Sequence, residues 1–153
     1  MAFTEKKILV GKGISDLKFG LTQEEVLKVL GEPDEKEIHE ESEEDEDILE
    51  FWHYDEHELS LSFDSYFKYK LVTIAVNAPE YSFDGNRLVG MDELKAVQIL
   101  SELGEVETEE LEDNFKILYV IEASFNIYVE KGKVTEIQFG PLEKEEGTVL
   151  WPN

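Results

Sequence analysis

No cysteine occurs among the 153 residues, so neither a disulfide framework nor a thiolate metal site can be built. No stretch approaches the roughly 20 apolar residues that a membrane-spanning helix requires. The opening MAFTEKKILVGKG has no apolar h-region and no cysteine for lipid attachment, so the expectation is a soluble, cytoplasmic chain without membrane contact. Glycine-rich phosphate loops are missing too: GKG at 11–13 is too short for one and reads as a turn after a first strand. There is no G-x-S-x-G elbow and no histidine placed beside a suitable serine, so nucleophilic catalysis finds no support. The chain is not expected to be an enzyme or to hold a cofactor.

Basic residues are scarce as well. Fourteen Lys and Arg stand against thirty-seven Asp and Glu, a formal charge of −23. That is far beyond the magnitude of about 2–8 that keeps a small domain soluble. Such a field repels nucleic acid and anionic membranes and speeds the approach of cationic proteins. Two readings stand side by side: a surface for a basic partner, or the acidity of a whole proteome.

What is present reads as one domain over 1–153. A chain of this size buries about 68–70 % of the surface its unfolded form exposes, so it needs no staples. Thr22 and Glu25 form a capping box; Val26, Leu27, Val29 and Leu30 make an apolar stripe, and Gly31 with Pro33 stops the helix. A second helix opens near Asp92, carries Leu94, Val97, Ile99, Leu100 and Leu103, and closes at Gly104. After each helix the apolar period drops from 3.6 to 2. ELSLSFD sets Leu59, Leu61 and Phe63 against Ser60 and Ser62, and ASFNIYVE sets Phe125, Ile127 and Val129 against Asn126 and Tyr128. Lys131-Gly132 makes a hairpin turn into a strand carrying Ile137 and Phe139. Segments 48–54, 70–76 and 115–121 read as further strands.

The halves also repeat. GLTQEEVLKVLGEPD (20–34) answers GMDELKAVQILSELGEVE (90–107), HELSLSFD answers ASFNIYVE, and LVTIAVNAP answers KVTEIQFGP. The expectation is an α+β fold: two tandem units, each a helix followed by a three-stranded antiparallel meander, sharing one sheet or core. The first unit spans 6–79 and includes an acidic loop at 34–47. The second spans 86–141, and 142–153 is a C-terminal tail.

GISDLKFGLTQEEVLKVLGEPD resembles the opening of the small bacterial domains typified by the outer-membrane assembly lipoproteins (SmpA/OmlA). The matching residues are Gly20, Leu21, Thr22, Val26, Leu30, Gly31 and Pro33. The second half keeps Gly90, Met91 and Gly104 but has neither the capping Ser/Thr nor the proline. Two such units in tandem resemble the β-lactamase inhibitory proteins, in which paired helix-and-sheet repeats grip an enzyme with a sheet face. The resemblance covers roughly 13–141 and implies an architecture used for binding proteins.

HYDEH (53–57) formally matches H-x-x-E-H, a zinc-peptidase signature that needs both imidazoles on one helix turn. ILEFW before it and ELSLSF after it are strand-like, Asp55-Glu56 falls at a turn, and His39 sits in the acidic loop. His53 and His57 therefore read as turn-flanking residues, with a zinc hydrolase as the remote alternative. HEESEEDED (39–47) has no glycine and no ligand alternation for an EF-hand. A solvated loop is the default for it, yet EVETEELED (105–113) is acidic in the same place after the second helix. The candidate partner-binding residues are Glu40, Glu41, Glu43, Glu44, Asp45, Glu46 and Asp47 in the first run, and Glu107, Glu109 and Glu110 in the second. Tyr128 joins them by strand parity, and Tyr66, Phe67 and Tyr69 by lying in or beside a turn. The reading that results is a non-catalytic binding protein, in its most concrete form an immunity-type inhibitor of a basic toxin. A generic interaction or scaffold domain is the alternative.

Overall fold

The computed structural model of the chain describes residues 6–40, 47–145 and 148–152. In chain order the elements are β1 (Lys7–Leu9), β2 (Gly13–Ile14), β3 (Leu17–Lys18), α1 (Gln23–Leu30), β4 (Glu35–Glu40), β5 (Ile48–Tyr54), β6 (Leu59–Asp64) and β7 (Lys70–Val76). Then follow β8 (Ser82–Phe83), β9 (Asn86–Arg87), α2 (Glu93–Leu100), β10 (Glu107–Glu110), β11 (Phe115–Val120), β12 (Phe125–Glu130), β13 (Lys133–Phe139), β14 (Leu142–Glu145) and β15 (Thr148–Leu150). Short 3₁₀ turns at Ser65–Phe67 and Ile121–Ala123 link β6 to β7 and β11 to β12.

The described residues are 48 % strand and 16 % helix, which overturns the α+β expectation. The fold is mostly β, and neither half is a helix plus three strands. Two things were missed. Each helix is followed by four strands of one large sheet, because the acidic segments of β4 and β10 are strands rather than loops. A second, five-stranded sheet in the order β3-β2-β1-β8-β9 is made of pieces two or three residues long. The acidic loop expected over 34–47 is thus a strand from Glu35 to Glu40. The tail over 142–153 contains the β14–β15 hairpin.

The main sheet has eight strands in the order β10-β11-β12-β13-β7-β6-β5-β4. Its two four-stranded meanders meet where β13 pairs antiparallel with β7, so the strands that end each meander lie at the centre and β4 and β10 form the edges. Leu61, Phe63, Ile74, Val76, Ile137, Phe125, Ile127 and Val129 are fully buried on one face. Both helices and the small sheet pack on that side. Val26 of α1 and Ala96 and Leu100 of α2 are buried there, and the Phe19 and Phe83 rings lie 5.3 Å from Phe139 and Phe125.

The sequence explains how each helix is held. In α1 the capping box forms as expected, with Thr22 Oγ1 accepting from the Glu25 amide at 3.2 Å and Glu25 accepting from the Thr22 amide at 3.0 Å. Immediately before each helix a glycine at φ +94, Gly20 or Gly90, turns the chain onto the sheet. A non-glycine residue at such an angle is strained. Gly20 and Leu21 then exchange hydrogen bonds with Leu71, and Gly90 and Met91 do the same with Val134. Beside each of these contacts the last strand of the meander carries a register shift, at Val72 in β7 and at Thr135 in β13.

Candidate functional site

On the other face of the eight-stranded sheet, register alone sets a row across every strand. Glu35, His53, Ser60, Ala75, Gln138, Asn126, Tyr119 and Glu107 stand opposite one another in succession. Phe51, Thr73, Tyr128, Ile117 and Glu109 share that face in neighbouring rows, and all but the glutamate are part-buried. Among the described residues no helix packs on it. The C-terminal hairpin borders one end, where Glu143 and Val149 help to line a cavity of about 230 Å³ that also involves Phe67, Thr73, Asn126 and Gln138.

The best-organised group lies near the β4 edge. The four-residue turn from Asp55 to Glu58 puts Tyr54 opposite Leu59, and so His53 opposite Ser60. His53 Nδ1 lies 2.7 Å from Ser60 Oγ. Its Nε2 lies 3.1 Å from Glu37 Oε1, but this buried nitrogen has no aligned hydrogen bond. The second oxygen of Glu37 lies 3.0 Å from His39 Nε2, and the His39 ring meets Phe51 edge-on at 4.9 Å. Glu37 is held below the usual carboxylate range, first by the hydrogen bond from His39 and then by the charge of His53, against an opposing desolvation. These residues line a cavity of about 310 Å³ that reaches to Glu136 and Gln138 on β13. Gln138 Nε2 donates to Glu136 Oε2 at 2.7 Å, and Tyr128 Oη donates to Gln138 Oε1 at 3.2 Å. Burial raises the Tyr128 phenol above its ordinary range, with Glu136 and Glu109 adding to the shift.

This corrects two expectations. A histidine does stand beside a serine, across two strands. His39 lies in β4 next to Glu37 and not in a loop. Serine, histidine and glutamate are the members of an acyl-transfer relay, but such chemistry also needs free N–H donors aimed at an oxyanion. Ser60 is the second residue of β6, which is laddered to β5 on one side and β7 on the other, so backbone donors around it are engaged. His57 sits in the turn after β5, so the two histidines of HYDEH do not share a helix turn. Among the described residues no group of three or more His, Asp or Glu side chains is placed to hold a metal ion.

The other candidates are scattered. Glu41, Glu43, Glu44, Asp45 and Glu46 lie outside the described residues. Glu40 ends β4, and Asp47 is part-buried just before β5. Glu107 and Glu109 pair with Tyr119 and Ile117 on the open face, whereas Glu110 pairs with Lys116 and faces the helix side. Tyr66 is exposed and meets the Phe67 ring at 4.9 Å; Phe67 leans on Trp151 at 5.4 Å, and Tyr69 packs against the core. Of the aromatic candidates, Tyr128 lies within the open face and Phe67 at its border. Glu37, Phe51, Ser60 and Glu136 were missed. The length of the β5–β6 turn could have given the His53–Ser60 pair, but nothing local announces that Glu37 is on a strand. Among the described residues no helix is long and apolar enough to cross a membrane. No known family model, no curated protein and no solved structure matches the chain.

Proposed function

We propose that the chain is a non-catalytic binding protein of the cytoplasm that docks a basic protein on the open sheet face and occludes it, as an immunity-type inhibitor would. One observation carries this reading. Eight strands present a face on which no helix packs among the described residues; it is studded with part-buried Phe51, Ile117, Tyr119 and Tyr128, and both of its edges are acidic strands. Aromatic residues inside a charged rim are the usual anatomy of a protein interface. The edge carboxylates speed the encounter with a cationic surface, and the aromatic contacts lengthen the stay. Nucleic acid is repelled by the same charge.

The test is low-salt capture of the partner, followed by rate measurements with wild type and a Glu107→Gln/Glu109→Gln variant. The expected result is a cationic protein that loses activity when bound and associates more slowly with the variant. The difference should shrink above about 0.15 M salt, where the Debye length is about 8 Å. Equal association rates at low salt, or a partner without excess positive charge, would overturn the reading.

A second reading rests on where the acid lies. β4 and β10 are the two open edges of the large sheet. Charge on an edge strand deters another chain from pairing with it, and that need exists whether or not a partner does. Replacing Glu107, Glu109 and Glu110 by threonine separates the two. Self-association without loss of partner binding favours edge protection.

A further inference from the structure

We propose that the cavity between β4 and β13 is an anchor pocket for one arginine side chain of the cationic partner. This rests on the binding reading above and names the chemistry at its centre.

Four features converge there. The cavity measures about 310 Å³, near the bottom of the roughly 300–1,000 Å³ range of ligand pockets. Its floor is a patch of short side chains, Ser60, Ser62, Thr73 and Ala75, on β6 and β7. Taller neighbours stand on either side, so the hollow comes from a local choice of small residues rather than from a break in the sheet. Two carboxylates approach it from strands on opposite sides, Glu37 from β4 and Glu136 from β13. Among the described residues neither meets a lysine or an arginine. The basic groups on Glu37 are two imidazoles, and Glu136 is held by the neutral amide of Gln138. Finally, the Phe51 ring forms a wall, and its position is buttressed by His39.

A guanidinium fits this set better than an ammonium. It is planar and weakly hydrated, stacks on an aromatic ring, and presents five N–H donors that two carboxylates and the Ser and Thr hydroxyls can accept. A lysine ammonium is a compact, strongly hydrated charge that gains less from a partly apolar wall. The pocket also lies between the acidic β4 edge and the aromatic stretch around Tyr128. An arginine arriving by electrostatic attraction would thus be captured next to the contacts that set residence time.

The experiment is an NMR titration of the full chain with N-acetyl-L-arginine amide at low salt. The lysine analogue and the neutral citrulline analogue are run in parallel. The expected result is weak, saturable binding with shifts confined to Ser60, Ser62, Thr73 and Gln138, and weaker binding of the lysine analogue. No saturable shifts are expected with citrulline. Glu37→Gln/Glu136→Gln should weaken the arginine analogue at least about tenfold, the scale of one lost charge-assisted contact. A single cooperative thermal transition, with a midpoint no more than slightly below that of wild type, shows that the fold of this variant was kept. Shifts spread over the surface without saturation, equal binding of citrulline, equal binding of lysine, or an unaffected variant would each overturn the proposal. If the titration fails while the cationic partner still associates in a salt-dependent way, the pocket is lost and the binding reading stands.

Discussion

Leu61 and Ser60 are neighbours in β6, yet they belong to different surfaces. Leu61, with Ile74, Ile137 and Ile127 on the same face of the sheet, is fully buried under the helices and the small sheet. Ser60 stands in the row with Ala75, Gln138 and Asn126, where every side chain stays partly exposed. The strands and hydrogen bonds are the same and the residues are one position apart. The difference shows that buried and partly exposed side chains are divided between the faces by parity. Because a one-residue slip would exchange them, the register that buries the core also assembles the pocket.

That division can be broken first from the buried side. Leu61→Ala should cost about 2–5 kcal/mol of unfolding free energy, read from denaturant curves. Ser60→Ala, one position away, should cost about 1 kcal/mol or less, since it loses a single hydrogen bond. Similar costs at the two sites would mean that the open face is part of the core.

Next in size is the effect of an aromatic residue on the open face. Tyr128→Ala should leave the denaturation midpoint little changed. It should speed dissociation of the captured partner by about fivefold or more, corresponding to a truncation cost above about 1 kcal/mol. A slower association with unchanged dissociation would place Tyr128 outside the interface.

Smaller still is the contribution of the acidic run. Glutamine at Glu40, Glu41, Glu43 and Glu44 should leave the fold intact and slow association by a factor that fades with salt. Dissociation should move much less.

The smallest expected effect is that of pH at Glu37. Its folded-state pKa is depressed, first by the His39 hydrogen bond. The stabilisation from that contact is therefore present above the unfolded glutamate value, about 4.3, and is lost as pH falls through the lower folded value. A Glu37→Gln variant should lie slightly below wild type in urea midpoint at pH 7, with the gap closing by about pH 3. A gap that widens on acidification contradicts the depressed pKa.

Legibility in the sequence followed the strength of the local signals. T-Q-E-E announces the start of α1, and the capping box is there. Lys131 and Gly132, both at positive φ, make the turn between β12 and β13. The period-2 segments became β6 and β12, and 48–54 and 70–76 became β5 and β7. The second helix was read too long. It ends at Leu100, and Asp92 makes no side-chain cap but bonds Lys133 instead. β4 and β10 were invisible because EKEIHE and ETEE lack the apolar alternation by which a strand is recognised. The small sheet was invisible because its strands are only two or three residues long.

Local order along the chain is enough to specify the helix starts, the hairpin turn and the alternation that divides β6 and β12 into a buried and a wet side. Capping, turn chemistry and hydrophobic period act over a few residues, so they are written where they act. The edge strands, and the meeting of Glu37, His53, Ser60 and Glu136, are of another kind. β4 gains strand structure from pairing with β5, and Glu136 comes near the cavity because β13 joins β7 across the middle of the sheet. Such pairing depends on partners tens of residues away, and a charged edge segment adopts it only because a stable sheet is already there to receive its hydrogen bonds.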